Sequence, residues 1–243
     1  MEEDPIPTPL PVAGDLAFIR LLHLSDSALP IGGIAHSFGL ETLTEKGVLT
    51  VDSLENFLRG YLEEAGVMEA VYCRAAHRCV AGAPALLHVK RWLEINDRLS
   101  ALKPTREGRA ASGALGQRLL LLSLAMDELP LIEEAFDAAR RAATVVHHSA
   151  AFGLVAGALG LDENRAALGY LHQSLAGLVS ACQRLLPLGQ SAAARILWNV
   201  KPLMGESAQR SKSIAPEDAG CFLPLLDWAG MEHPALHTRL FMS

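Results

Sequence analysis

Two stretches of this chain contain no Asp, Glu, Lys or Arg: Ala142–Leu161 and Ala166–Gln183. Uncharged runs of that length either span a membrane or need a protein core to bury them. The first carries Gly153-x-x-x-Gly157, a small-residue spacing that lets packed helices approach closely. It also holds His147, His148 and Ser149 together, and the second run holds His172, Gln173, Ser174 and Gln183. Both are rich in Ala and Gly, which are only weakly hydrophobic. The reading is two helices buried inside a protein, with no membrane association.

The rest of the composition agrees. Half of the 243 residues are hydrophobic, aromatics make up only 5%, and the apolar content is mainly Ala and Leu. Sheet cores draw on aromatic and β-branched residues, whereas Ala and Leu favour helix. The expected fold is all-α: a single-domain bundle of about ten helices with no significant sheet. A net charge of −6 and a pI of about 5.8 argue against a nucleic-acid partner held by phosphate neutralisation. Four cysteines do not make a disulfide scaffold, and the acidic start Met1-Glu2-Glu3-Asp4-Pro5 is no secretory signal. The expected location is cytoplasmic.

Pro5, Pro7, Pro9 and Pro11 forbid helix at the start, so residues 1–14 are expected to be a flexible arm and residues 15–243 the domain. Asp15 caps a short helix through His23, Pro30 and Gly32-Gly33 break the chain, and Ser37 to Lys46 can be helical. Asp52 and Glu55 form a capping-box-like start. Leu54, Phe57, Leu58, Tyr61, Leu62 and Ala65 then mark one apolar face of a helix running to about Val80, stopped by Gly82-Ala83-Pro84. Further helices are read over 85–102, from Thr105, over 131–146, over 149–159, from Asp162, and over 190–200. The polar stretch 206–220 reads as loop, and 223–240 as less regular helix.

Tests for chemistry return little. Gly108-x4-Gly113 has the glycine spacing of a phosphate loop, but Ala114 and Leu115 stand where Lys and Ser or Thr are needed. Cys73 with His77, and His233 with His237, give pairs at i, i+4 that could start a metal site without completing it. Ser25-Asp26-Ser27 reads as a loop or cap. No Gly-x-Ser-x-Gly or His-Glu-x-x-His motif is present. No active site can be named from the residues, and the metal ligands stay unknown. One segment stands out: Leu24 to Glu41, LSDSALPIGGIAHSFGLE. Pro30 turns the chain there, Gly32-Gly33 permit positive φ or close approach, Ser37 can cap, and Gly39 keeps one side slim. It is either a tight interhelical bend or a surface built for contact with another chain.

That segment resembles the UreF-type urease accessory proteins, through Pro30, Ile31, Gly32, Ser37, Gly39, Leu40 and Glu41. The resemblance continues at Asn96-Asp97, Glu107, Arg109, Ser112 and Gly116, returns at Arg184 through Gln190, and ends at Arg239-Leu240-Phe241. Where the family has Gly and Gln after the Gln190 motif, this chain has the small residues Ser191 to Ala194. The resemblance implies an all-α, non-enzymatic adaptor in nickel insertion into urease. Its partners would be a UreD/UreH-type scaffold, the GTPase UreG and the urease apoprotein, around a UreF homodimer. No cofactor is expected to be held stably; nickel would be handled transiently. Pro30, Ile31, Gly32, Gly33, Ser37, Glu41, Arg184, Gln190, Arg239, Leu240 and Phe241 are the interface candidates, and the tail from about 233 to 243 is assigned to the scaffold partner. Truncation after Leu236 is then expected to leave the protein folded and thermally similar. The alternative is an all-α metal-dependent hydrolase with a site assembled from scattered His and carboxylates. Such a site would need ligand pairs on two or more helices.

Overall fold

The computed structural model describes residues 13–81 and 86–243. Its elements are helical, as expected, apart from a two-residue antiparallel pairing of Val80–Ala81 with Leu86–Leu87. In chain order the helices are α1 (Ala13–Leu24), α2 (Leu40–Glu45), α3 (Val51–Tyr61), α4 (Val67–His77), α5 (Val89–Leu102), α6 (Arg106–Met126), α7 (Pro130–Ala142), α8 (His148–Ala158), α9 (Glu163–Leu185), α10 (Gln190–Asn199), α11 (Lys201–Arg210) and α12 (Pro224–Glu232). Short 3-10 turns occupy Gly33–Ala35 and His233–Ala235. A π-helical turn, Leu62–Gly66, joins α3 to α4.

The two uncharged runs become the centre. Every residue of α8 from His148 to Ala156 is buried, and so is every residue of α4 from Val67 to Ala76. A helix apolar on all sides needs neighbours all round, and α4 and α8 supply each other's closest face. Gly153 makes this possible: a Cβ there would run into the backbone carbonyl of Cys73. Gly157 likewise sits on the carbonyl of His77. The Gly-x-x-x-Gly spacing therefore serves a helix crossing in the core of a bundle. α9 packs against both helices, burying Tyr170, Leu171, Leu175 and Leu178. Among the described residues no helix is long and apolar enough to cross a membrane.

Several local expectations need correction. The arm 1–12 and the stop at Gly82-Ala83-Pro84 lie outside the described residues, but Ala13 and Gly14 are already helical. The helix of residue 51 onward is capped by Thr50, whose Oγ1 accepts from the Ser53 N–H at 3.3 Å while Ser53 Oγ accepts from the Thr50 N–H. Glu55 instead pairs with Arg59 one turn on, at 2.9 Å. α2 starts at Leu40, not Ser37, because Phe38 and Gly39 both take left-handed φ, 53° and 89°. The segment 206–220 is partly α11, which begins at Lys201. Its polarity reads as loop because two of its three buried residues, Ser207 and Ser211, are serines. Ser207 Oγ donates to the Leu62 carbonyl, and Ser211 Oγ accepts from the Arg74 guanidinium at 2.8 Å. At the C-terminus regular helix ends at Glu232, so His233 and His237 do not share an α-helical face. Thr105 and Asp162 do cap α6 and α9, accepting from Gly108 N–H and Arg165 N–H.

Candidate partner-binding site

Pro30 to Glu41 is a bend, and its glycines play different parts. Gly32 has φ 85°, and a Cβ there would meet the Arg118 guanidinium, which itself reaches the Ile31 carbonyl. Gly33 is not left-handed and has open space around it. Gly39 has φ 89° and lies against the α12 backbone at Leu226 and Gly230. Ile31 is buried while Pro30 is exposed. Ser37 is fully buried, and its Oγ accepts from the Glu41 N–H at 3.4 Å.

The C-terminal segment lies across this bend. The main-chain oxygen of Ser243 accepts from the N–H groups of Ser37 and Phe38, at 2.5 and 3.1 Å. The Met242 N–H donates to the Ala35 carbonyl at 2.8 Å, and Ser243 Oγ meets His36 Nδ1 at the same distance. Glu41 holds the next turn of chain: its carboxylate accepts from the Leu240 N–H at 2.6 Å and the Phe241 N–H at 3.1 Å. Phe241 is buried under the Arg184 guanidinium, 4.3 Å from its ring centre, and Arg184 also donates to the Ile34 carbonyl. Arg239 lies 3.5 Å from Glu107. The tail thus has partners in its own chain, so the expectation that its removal leaves thermal stability unchanged is revised. Around it Ile34, Leu240 and Met242 remain exposed.

The structure therefore gathers Ile31, Gly32, Ser37, Glu41, Arg184, Arg239, Leu240 and Phe241 into one region. Gln190 stands apart, exposed in the first turn of α10. Sequence reasoning missed His36, Arg118 and Ser243, and did not connect Glu107 with His233. No local periodicity marks a contact between residues more than a hundred positions apart.

Beneath the bend is a partly enclosed cavity of about 180 Å³, whose wall includes His36, Gly39 and Ser243. Among apolar side chains such as Met68, Leu115 and Leu178, its lining includes the polar groups of Tyr61, Glu69, Lys103, His148, Tyr170 and Gln173. Glu69 and Lys103 form a buried ion pair. Burial works to raise the Glu69 pKa, but the Lys103 ammonium, with smaller help from Ser149 and His147, holds the carboxyl below its ordinary value. His147 and His148 are both pushed down to about 4, first by burial and further by Lys103. His147 bridges Ser100 and Ser112 through its two ring nitrogens, while His148 packs edge-on against Tyr170, its Nε2 unpaired.

Metal and nucleotide chemistry find little purchase. Among the described residues no group of three or more His, Cys, Asp or Glu side chains is arranged to hold a metal ion. Cys73 is buried and His77 is engaged with the Leu161 carbonyl at 2.8 Å. Burial pushes the Cys79 thiol up to about 11 and Cys182 and Cys221 up to about 12, so none is a ready thiolate. Gly108 and Gly113 both lie within α6, where their backbone amides serve the helix and cannot cradle a phosphate.

Comparison with known proteins accords with this arrangement. The UreF family model matches residues 48–201. The urease accessory protein UreF of Corynebacterium glutamicum is 32% identical over 224 residues, covering 92% of this chain and 96% of the relative. The protein of the same name from a Nostoc species is 31% identical over 238 residues, 94% of this chain and 97% of its own. That from a Bacillus species is 29% identical over 228 residues, with 93% and 98% covered. The bend, the Arg184 region and the C-terminal segment, three pieces far apart in sequence and joined in space, lie on a chain that belongs to the UreF family of urease accessory proteins.

Proposed function

We propose that this chain is a non-enzymatic adaptor in the maturation of urease, joining a UreD/UreH-type scaffold to a UreG-type GTPase during nickel insertion. The observation that carries the reading is the match to urease accessory proteins along 92% or more of the chain. Nickel is cargo in this scheme. It passes through the assembly on transient contacts, and the GTP chemistry resides in the partner. The composite of bend and tail is the surface offered to the scaffold, because exposed Ile34, Leu240 and Met242 supply apolar area and Arg239 a forked donor. A second apolar surface lies on α1, where Leu16, Phe18, Ile19 and Leu22 are exposed, and a third on α12 at Leu225, Trp228 and Met231. Patches of this kind usually mark interfaces, and a two-fold homodimer is the commonest way to cover one. The working compartment is the cytoplasm.

The test is co-expression with a UreD/UreH-type protein and a UreG-type GTPase, followed by affinity capture of this chain. Retention of both partners, and urease activation that depends on this chain, are expected. Failure of folded chain to retain either partner would overturn the proposal. Light scattering at tens of micromolar should give a dimer mass; a strict monomer would remove the homodimer from it.

A further inference from the structure

We infer that Glu41, His233 and Glu107 form a charge clasp that straps the C-terminal segment across the Ile31–Phe38 bend, so that breaking the clasp frees the segment as a unit while the bundle stays folded. The clasp is built from three elements. Glu41 lies on α2, Glu107 in the first turn of α6, and His233 in the 3-10 turn after α12. The imidazole is fully buried, with Nε2 2.9 Å from Glu41 and Nδ1 2.7 Å from Glu107. Ionised carboxylates only accept, so the ring serves both at once only in its doubly protonated form. Arg239 lies beside Glu107, 3.5 Å away, and Arg184 stacks over Phe241.

Glu41 is the joint between clasp and strap. Its carboxylate takes the ring and also the Leu240 and Phe241 N–H groups. Burial would raise its pKa, but the Leu240 N–H, the His233 ring and the Phe241 N–H together hold it below its ordinary value, so these contacts favour the ionised form. Past Phe241 the hydrogen bonds that Met242 and Ser243 make among the described residues go to residues 35–38. Ser243 also forms part of the cavity wall, so lifting the strap opens the cavity beside His36. A short segment held by a few hydrogen bonds to a bend opens locally at lower cost than the fully buried core of α4 and α8.

The experiment compares hydrogen exchange of the full-length chain with its Glu41→Gln, Glu107→Gln and His233→Gln variants, alongside tryptic cleavage after Arg239. In Glu41→Gln, exchange in residues 237–243 and 35–38 should quicken by about tenfold or more while α8 keeps its protection, and cleavage after Arg239 should quicken with it. Glu107→Gln should move the same readouts in the same direction by less, because Glu107 touches the ring and Arg239 but not the strap's backbone. If Glu41→Gln fails to fold, Glu107→Gln and His233→Gln decide by the same readouts. Tail exchange within about twofold of the unaltered chain in every folded variant would overturn the clasp. So would faster exchange shared equally by α8 and the tail, which marks general unfolding.

Discussion

Single residues at the centre of this molecule carry more than their size implies. Gly153 is one atom short of a clash with the Cys73 carbonyl, and a backbone carbonyl inside two packed helices has nowhere to move. Gly153→Ala should therefore destabilise by about 3 kcal/mol or more, as overpacking a rigid site does, read as a lower urea midpoint. Arg74 is the reverse case, a buried charge fully served. Its guanidinium donates to Ser211, Glu163, Asn164 and the Ala208 carbonyl, at 2.7–3.0 Å, and so ties α4 to α9 and α11. Arg74→Met should cost about 3 kcal/mol through the groups it leaves unpaired, measurable in the same unfolding series. The two buried histidines set a pH dependence. Unfolded, they take up protons near the ordinary imidazole value of about 6.5; folded, they resist until about 4. The unfolded state thus binds more protons across that window, and stability falls as pH is lowered through it. At 1.36 kcal/mol per pH unit the loss is at most about 3 kcal/mol for each ring, and urea midpoints at pH 7 and pH 5 would register its onset.

At the scale of elements, helix starts behave as capping chemistry requires. Asp162 Oδ1 accepts from Arg165 N–H at 2.8 Å, at the head of the 23-residue α9. Asp162→Ala should cost about 1 kcal/mol, and Asp162→Ser much less, by thermal unfolding. The π-helical turn between α3 and α4 is a different device. It lets one apolar stripe, Leu54, Leu58 and Leu62, run on into the fully buried α4, and Ser207 reaches in to bond the Leu62 carbonyl. A period of 3.6 reads straight through such a turn, which is why it leaves no sign in the residue pattern. The stretch 206–220 shows the opposite failure, since serines that bond inward look the same in a sequence as serines that face water.

At the scale of the whole molecule, α4, α8 and α9 pack chiefly on one another, whereas the bend is hydrogen-bonded to residues 240–243. Removing residues 237–243 uncovers the Phe241 site and unpairs Glu41 and the Ser37 and Phe38 N–H groups. That truncation should lower the melting temperature by several degrees, about 2–4 °C for each kcal/mol in a chain this size, while helical circular dichroism stays near that of the full chain. A melting temperature unchanged by the truncation would mean that these contacts contribute nothing to stability.

The sequence by itself determined the fold class, the burial of the two uncharged runs, the helix starts at Thr105 and Asp162, and the tight turn at Gly32. Each follows from neighbours within a few residues: charge-free length, side-chain oxygen before an apolar run, a residue without Cβ after a proline. It also supplied the separate motif pieces around Glu41, Glu107, Arg184 and Phe241. Only the tertiary structure joined them. Glu41 meets His233 across 192 positions and Phe241 across 200, and His233 meets Glu107 across 126. A hydrogen bond between such distant residues imposes no repeat on the residues around it. It forms only because the helices, packed by their apolar faces, bring those groups within 3.1 Å of one another.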